Sequence, residues 1–285
     1  MSLQYHFKGL MNHNKDGSFS TQRDRSSILL MCASQIREGG FKLLYPRQLK
    51  QKHMNYLVER WKSEELSPST IKNRTSNLRW LAEKIQKNSI VKSNDDYGID
   101  KRQFATQIDK STVLDERVDK IASENIKDAL RLADLFGLRR EEALKFTPEL
   151  SCQLPDRIVF KKGTKGGFER YVLIRTEAQR TLVKTLKERY PTGSLIPKSF
   201  NYNQYKDKYA NAVRGSGLGN GHGLRHGYAQ GRYEELTGWK CSVKGGLKYQ
   251  EMDEKSKKID REVRLQISKE IGHRRIDVID KYIGK

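Results

Sequence analysis

The stretch SENIKDALRLADLFGLRREEALKF, residues 123–146, decides the fold of the second half of this chain. Its apolar residues recur at the spacing of one helix face, and Ser123 occupies the position of a helix N-cap. Gly137 then interrupts the periodic pattern, and Arg139 follows on the turn that leads into the next helical run. The stretch therefore predicts two consecutive helices with an arginine at the turn between them.

A hairpin and two further helices are predicted downstream. In RIVFKKGTKGGFERYVLI, residues 157–174, two runs rich in β-formers flank a glycine-rich turn that carries Lys165 at its tip. Helical periodicity returns in GLRHGYAQGRYEEL, residues 223–236, and in DREVRLQISKEIGH, residues 260–273. Residues 238–260 are largely polar and predict a solvated insertion.

The N-terminal part of the chain predicts helices and no strand. The first two dozen residues are polar and predict an arm, and a short helix capped by Ser26 follows. Apolar residues lie at helical spacing in LKQKHMNYLVERWK, residues 49–62, and again after the serine–proline helix start LSPST, residues 66–70. These helices predict a small domain with basic outer faces.

The fold expected from these patterns is mainly α with one small β-hairpin, an α+β chain of two domains. We expect a helical domain with its N-terminal arm over residues 1–90, a polar linker over 91–115 and a mixed domain over 116–285.

Charge is the strongest bulk signal. The chain of 285 residues has 56 Lys and Arg against 35 Asp and Glu, so its formal net charge is +21. The excess is spread over both halves, which suits a polyanion held from two sides. A merely soluble basic protein remains an alternative at this point.

Several classes of protein are disfavoured by the sequence. It contains no run of about 20 apolar residues that would span a membrane, and its first ten residues lack the apolar core of a secretion signal. Its three cysteines are odd in number and far apart, which is typical of neither a disulfide framework nor a zinc knuckle. We expect a cytoplasmic protein in a reducing compartment.

Six polar side chains of the second half form an unusual set: two arginines, two histidines, a lysine and a tyrosine. Guanidinium groups offer paired donors to phosphate oxygens and stay charged, a phenol is a nucleophile once it loses its proton, and a lysine can protonate a leaving oxygen. This is the equipment needed to break a phosphodiester without a metal or other cofactor. The six are Arg139, Lys165, His222 and Arg225 in HGLRH, His273 in IGHRR, and Tyr282.

Each residue also has an ordinary explanation. Arg139 stands beside acidic residues and would form a local ion pair, and Lys165 would be a solvated turn lysine. His222 and His226 have the spacing of two metal ligands on a helix, but no third ligand stands near them in sequence. Tyr282 would be a packing anchor. The conjunction of all six in this order favours the catalytic interpretation.

Residues from about 120 to the end resemble the catalytic domain of the tyrosine recombinases, the phage-integrase family. GLRREEAL resembles the first arginine motif of that family, with Glu142 at the acidic position that braces the arginine. KKGTKGGFER resembles the hairpin that carries the family's lysine, HGLRH the His-x-x-Arg box and IGHRRIDVIDKYIG the terminal box. The helical N-terminal part is similar to the family's core-binding domain.

The resemblance implies specific roles. Tyr282 would attack the scissile phosphate and form a 3′-phosphotyrosyl bond, while Arg139, Arg225 and His273 hold the phosphate oxygens. His222 would assist proton transfer, and Lys165 would protonate the leaving 5′ oxygen. The basic side chains expected to bind DNA are Lys72, Arg74, Arg79 and Lys162.

The resemblance also implies a partner and an assembly. Double-stranded DNA would be bound by a homotetramer on two sites, strands would be exchanged through a Holliday junction, and an accessory directionality factor would act in a prokaryotic cell. Integration or excision of a mobile element is the expected role. The alternatives are relaxation of DNA by a type IB topoisomerase and a non-catalytic architectural DNA-binding protein.

Two features depart from the family's usual pattern. The segment between Arg225 and His273 is longer than usual and contains the 238–260 insertion, which would either contact DNA or a partner or be a passive loop. Only three residues follow Tyr282. We therefore expect that the chain lacks the extra helix that docks onto a neighbouring protomer in many relatives.

Overall fold

The computed structural model describes residues 2–101, 107–160, 169–273 and 275–285. It divides into two compact units, Met1–Gln103 and Phe104–Lys285. In its described residues the first unit is helical. Its helices are α1 (Leu3–His13), α2 (Phe19–Glu38), α3 (Gln51–Ser63) and α4 (Pro68–Lys84), with 3-10 helices at Pro46–Gln48 and Asn88–Ile90.

Helices α3 and α4 of the first unit confirm the helices that the spacing of apolar residues predicts. In α3 the apolar face is completely enclosed, with Leu57, Val58 and Trp61 each 0% exposed. Ser67 caps α4 by accepting a hydrogen bond from the backbone N–H of Thr70, and a proline occupies the first turn, as predicted. The buried faces of these helices form the core of the unit.

The expected N-terminal arm is wrong, because residues 3–13 form helix α1. Leu3 and Phe7 lie one turn apart and are 5% and 0% exposed, so the helix has an apolar stripe that packs into the core. Ser2 caps it by accepting from the backbone N–H of Tyr5. The sequence did not predict this helix because polar residues separate the few apolar residues of the stripe. Helix α2 likewise begins at Phe19, ahead of the predicted Ser26 cap.

The segment that the sequence assigns to a linker is divided between the two units. Val91, Tyr97 and Ile99 are 5–7% exposed and join the core of the first unit. Farther along, the backbone N–H of Thr112 donates to the carbonyl of Gly223 in the second unit at 3.1 Å. Because the segment is mostly polar, the sequence did not predict that a few of its apolar residues join a core or that its backbone bonds to the second unit.

The second unit combines helices with one hairpin. Its elements are α5 (Glu124–Phe136), α6 (Arg140–Leu144), α7 (Pro148–Ser151), β1 (Arg157–Phe160), β2 (Arg170–Leu173), α8 (Glu177–Arg189), α9 (Tyr202–Gly215), α10 (His222–Thr237), α11 (Glu254–Glu270) and α12 (Asp280–Ile283). Short 3-10 helices lie at Glu116–Lys120, Ser242–Lys244, Tyr249–Glu251 and Ile276–Val278. Helices α5 and α10 pack together at the centre of the core. None of the described helices is long and apolar enough to cross a membrane.

The predicted hairpin strands are confirmed. Strands β1 and β2 are antiparallel, and Phe160 is paired with Arg170. Side chains alternate along β2, so that Arg170 and Val172 face inward while Tyr171 faces solvent. The turn between the strands, with Lys162 and Lys165, lies outside the described residues.

Residues 238–260 are mostly exposed, in agreement with the prediction of a solvated insertion, but three of their side chains are buried. Cys241, Met252 and Asp260 are 2%, 5% and 0% exposed. The hydroxyl of Ser242 donates to the carbonyl of Ile283 at 3.2 Å, so the segment packs against the C-terminal residues. Its few apolar side chains anchor it, and its many charged residues face outward.

Candidate active site

Arg139 is placed by the turn between α5 and α6. Gly137 ends α5 in the left-handed conformation (φ 63°), which favours glycine, and Arg139 then stands at the N-cap of α6. The side chain of Glu142 accepts from both the backbone N–H and Nη1 of Arg139, each at 2.8 Å. A short segment of sequence therefore fixes both the backbone and the guanidinium of this arginine.

Glu142 is the buried anion of the site. It is 4% exposed and also accepts from Nη2 of Arg170 at 2.7 Å. Burial raises the pKa of this carboxyl, but the guanidiniums of Arg170 and Arg139 outweigh burial and hold the pKa below its ordinary value. The carboxylate therefore stays charged and orients two arginines.

Arg225 is fully enclosed in the first turns of α10. Its Nη1 donates to the carbonyl of Gly137 and its Nη2 to the carbonyl of Ile271, so both ends of the guanidinium are fixed by backbone. Its Nε lies 3.2 Å from the hydroxyl of Tyr282. Burial lowers the pKa of Arg225 to about 10, which leaves it positively charged at neutral pH.

His273 bridges the two arginines. Its Nε2 lies 3.2 Å from Nη2 of Arg139 and 3.3 Å from Nη2 of Arg225. Burial and the positive charges of Arg139 and Arg225 lower its pKa to about 3, so the imidazole is neutral at neutral pH. Gly272 precedes it at φ 73°, where an added Cβ would lie 2.8 Å from Cδ of Arg170. The glycine thus permits both the turn and the close packing.

Tyr282 is carried into the same cluster by the short helix α12. The residue is 6% exposed. Its ring lies 4.6 Å from that of His226 and 6.0 Å from those of His222 and His273, measured between centroids. The guanidinium carbon of Arg225 lies 5.5 Å from the ring centroid. Arg225 therefore contacts both the ring and the hydroxyl of Tyr282.

His222 is the first residue of α10 and the most open member of the group. Its backbone N–H donates to the side chain of Asn220 at 2.9 Å. Its ring meets that of His226 edge to face at 5.3 Å. Among the described residues, no group of three His, Cys, Asp or Glu side chains is arranged to hold a metal ion.

Two clefts open beside the cluster, and Arg139 lines both. One, of about 320 Å³, includes Arg140 and His222 in its wall. The other, of about 1030 Å³, includes Arg170 and His273. The guanidinium of Arg139 is thus reachable from solvent on either side.

The structure brings together five of the six predicted residues, namely Arg139, His222, Arg225, His273 and Tyr282. The sixth, Lys165, lies outside the described residues, as does Lys162. Three predicted DNA contacts lie on α4 of the first unit. Arg79 donates to the carbonyl of Lys92 and to Asn94, and Arg74 lies over the ring of Trp61, so both have internal contacts. Lys72 is half-buried.

Sequence reasoning missed Arg170. The residue is 8% exposed, pairs with Glu142 and donates to the carbonyl of Glu270, so it ties α6 to the end of α11. A signal was present: Arg170 stands two residues before Val172, at an inward position of a strand where an apolar residue is expected. A charge at such a position requires a buried partner.

Comparison with known proteins places the chain in a family. Residues 1–91 match the model for the N-terminal part of phage integrases, and residues 100–231 match the integrase model. The chain belongs to the tyrosine recombinase, or phage-integrase, family. His273 and Tyr282 lie beyond the matched residues and join the cluster through the geometry described above. A sequence comparison with curated proteins finds no match.

Solved structures share the fold at low sequence identity. The Tn1549 transposon integrase in complex with circular intermediate DNA is 13% identical with a TM-score of 0.57, covering 100% of this chain and 96% of that one. XerH site-specific recombinase bound to difH is 14% identical with a TM-score of 0.58, covering 98% and 80%. A lambda integrase dimer bound to a COC′ core site is 13% identical with a TM-score of 0.60, covering 99% and 77%.

Proposed function

We propose that this protein is a site-specific DNA recombinase that cleaves and rejoins strands through a 3′-phosphotyrosyl intermediate. The observation that carries the proposal is a connected cluster, in which His273 contacts both Arg139 and Arg225 and the Nε of Arg225 contacts the hydroxyl of Tyr282. These groups provide donors for a phosphate and a nucleophile beside it. The net charge of +21 supports DNA as the partner.

The two arginines and His273 bind the non-bridging oxygens of the scissile phosphate. Negative charge on these oxygens has to be stabilised as the five-coordinate transition state forms. Because the guanidiniums are already fixed by Glu142 and by backbone carbonyls, little reorganisation is required when the phosphate arrives. The neutral imidazole of His273 adds a hydrogen bond rather than a third cation.

The hydroxyl oxygen of Tyr282 attacks phosphorus. A Tyr–phosphate bond forms, the bond from phosphorus to the 5′ oxygen breaks, and the phenolic proton leaves with assistance from His222. The leaving 5′ oxygen takes a proton from Lys165. The new ester keeps the energy of the bond that was broken, so a second 5′ hydroxyl can reverse the step on another strand without ATP or a metal.

Lys165 has a separate test. A substrate with sulfur in the 5′-bridging position has a leaving group that needs no protonation. Cleavage of this substrate by Lys165→Ala should approach that of the wild type, while the ordinary substrate is cleaved slowly. If Lys165→Ala slowed cleavage of both substrates equally, Lys165 would not be the general acid.

The proposed assembly contains four copies on two duplexes, which exchange strands in pairs through a Holliday junction. Integration or excision of a mobile element is the role that we propose, with an accessory factor setting direction. Recovery and sequencing of DNA ends trapped on the protein in cells would identify the site.

The experiment that tests the function uses a nicked suicide substrate, which loses its 5′ end after cleavage and traps the covalent complex. The wild type should give a protein–DNA band, and Tyr282→Phe should give none. No band with any substrate, together with DNA binding, would favour an architectural protein. Vigorous relaxation of plasmids that lack a recombination site would favour a topoisomerase instead.

A further inference from the structure

We propose that the nucleophile is positioned by an intramolecular clasp that joins the start of the second unit to helix α12. The tyrosine clasp consists of Gln107, Asp109, Gln230, Ser242, Lys244 and Arg264. It touches the residues around Tyr282 and not the phosphate site, so its members are positioning residues. The inference rests on the proposed function for its catalytic consequence.

The clasp holds the backbone of α12 and of the residues after it. Nε2 of Gln230 donates to the carbonyl of Tyr282 at 3.0 Å, and the hydroxyl of Ser242 donates to that of Ile283 at 3.2 Å. Nη1 of Arg264 donates to the carbonyl of Gly284 at 2.7 Å. Carbonyls near a helix end have no partner within the helix, so these donors satisfy groups that water would otherwise bind.

Two further contacts extend the clasp along the same segment. Nη1 of Arg264 also donates to Asp280 at 2.9 Å, and Nε2 of Gln107 donates to the carbonyl of Lys285 at 3.2 Å. The helix that bears the nucleophile is therefore held from its first residue to the end of the described chain.

Gln230 is the central member because it bridges two acceptors. Its Nε2 donates both to the carbonyl of Tyr282 and to Oδ1 of Asp109, at 3.0 and 2.9 Å. A carbonyl and a carboxylate can only accept, so the amide must present its NH₂ group to them. The residue is 4% exposed, and its Oε1 is buried without a hydrogen-bond partner in the described structure. Both hydrogen bonds of the bridge therefore come from this one NH₂ group.

Asp109 links the bridge to the insertion. Its Oδ1 also accepts from the backbone N–H of Ser111 at 2.9 Å, while its Oδ2 pairs with Nζ of Lys244 at 2.8 Å. Lys244 belongs to the 238–260 segment and also donates to the hydroxyl of Ser111 at 3.1 Å. The carboxylate of Asp109 therefore links the start of the second unit to helix α10 and to the insertion.

This arrangement gives the insertion a function. The segment supplies Ser242 and Lys244, and a Cβ on Gly284 would lie 2.2 Å from the hydroxyl of Ser242 and 2.8 Å from a methyl carbon of Val243. The 3-10 helix Ser242–Lys244 thus forms one wall of the groove in which the C-terminal residues lie. The contacts are all within the second unit.

The test replaces Gln230 by glutamate, which has the same shape but no NH₂ group. A carboxylate in this place faces the carboxylate of Asp109 and a carbonyl, so the bridge is lost. The matched control is Gln204→Glu on α9, which adds the same charge to an exposed side chain whose Oε1 accepts from the backbone N–H of Asn201. Both variants have the same net charge, so a general effect of charge on DNA binding cancels.

Two measurements are compared between the variants. In the suicide-substrate assay, Gln230→Glu should form the covalent complex about ten times more slowly or worse, because small misplacements of a reacting group are costly. The dissociation constant for DNA should stay within about twofold of the control. Hydrogen exchange of the peptide 279–285 without DNA should be faster than in Gln204→Glu. Equal exchange and equal cleavage in the two variants would overturn the proposal.

A small external nucleophile separates positioning from damage to the pocket. In a Tyr282→Phe background, hydrogen peroxide can attack a phosphate held by the arginines without any help from α12. Adding Gln230→Glu should leave this peroxide-dependent cleavage within about twofold. A parallel loss in both reactions would mean that the phosphate site itself is disturbed, which contradicts the clasp.

Asp109 provides a second pair of variants if Gln230→Glu folds poorly. Asp109→Asn keeps an oxygen that accepts from Gln230, whereas Asp109→Ala has none. Exchange of residues 279–285 should be fastest in Asp109→Ala and intermediate in Asp109→Asn, which keeps the acceptor for Gln230 but loses the ion pair with Lys244. If the wild type forms no covalent complex at all, the proposed function fails, yet hydrogen exchange still decides whether the clasp holds α12.

Discussion

The Nε of Arg225 lies 3.2 Å from the hydroxyl oxygen of Tyr282. The other two nitrogens of this guanidinium donate to backbone carbonyls, so the arginine cannot turn away from the tyrosine. A group that would bind the scissile phosphate therefore also orients the nucleophile before DNA arrives. Preorganisation of this kind is what a slow displacement at phosphorus requires.

Replacement of Arg170 by methionine should slow cleavage although the residue does not reach the phosphate site. Glu142 would lose one of the two guanidinium groups that donate hydrogen bonds to it, and Glu270 would lose a donor to its carbonyl, so Arg139 would be less well fixed. We expect a decrease of about tenfold to a hundredfold in the rate of covalent complex formation. Arg157→Met on strand β1 is the control, since its partner Asp156 is exposed, and it should cleave normally. Equal rates for the two variants would refute the role given to Arg170.

Replacement of Glu142 by alanine should destabilise the second unit strongly. The change leaves the buried Arg170 without its ion-pair partner and removes both bonds to Arg139. Breaking a buried pair in this way lowers the free energy of unfolding by about 3–5 kcal/mol. Glu141→Ala removes an exposed pair with Lys145 and should cost less than about 1 kcal/mol. Urea denaturation of the two neighbouring variants provides the comparison.

His273 should make stability fall as the pH is lowered below about 6.5. The folded protein holds its pKa at about 3, while the unfolded chain has an ordinary histidine with a pKa of about 6.5, so between these values only the unfolded state binds the proton. His273→Asn lacks this proton uptake. The difference in unfolding free energy between wild type and variant should therefore shrink from pH 7.5 to pH 5. His226 contributes in both proteins and cancels; a difference that stays constant with pH would contradict the assignment.

Two glycines on α10 should differ in their tolerance of alanine. A Cβ on Gly223 would lie 2.2 Å from the hydroxyl of Thr112 and 2.9 Å from the carbonyl of Lys110, whereas on Gly227 its nearest neighbour is 3.4 Å away. Gly223→Ala should push residues 110–112 off the helix and speed exchange of the peptide 279–285. Gly227→Ala should be neutral or stabilising, by about 1 kcal/mol at most, because alanine favours the helix. Similar exchange in both variants would mean that residues 110–112 do not support α12.

The sequence predicted the elements that have strong local signals. The helix face of α5, the serine–proline start of α4 and the two strands of the hairpin follow directly from periodicity and turn chemistry. Five of the six predicted site residues also meet in space. Four of them lie at the start or just after the end of α6, α10 or α11, whereas Tyr282 lies on the four-residue helix α12.

The errors of the sequence-based prediction share a physical cause: a few side chains are buried by tertiary contacts in segments that are otherwise polar. Helix α1 is anchored mainly by Leu3 and Phe7, and the insertion by Cys241 and Met252, among residues that are otherwise polar. Arg170 was missed because its partner, Glu142, lies far from it in sequence. The sequence did not single out Gln230. Its role depends on two acceptors, Asp109 and the carbonyl of Tyr282, that come together only in the folded chain.

The most direct measurement of the central claim locates the DNA on the protein. The complex trapped with a suicide substrate is digested with nuclease and protease, and mass spectrometry identifies the peptide that carries the nucleotide. The account predicts one adduct, at the hydroxyl of Tyr282, linked to the 3′ phosphate and leaving a free 5′ hydroxyl on the other fragment. An adduct on any other residue, or a 5′-linked nucleotide, would contradict it.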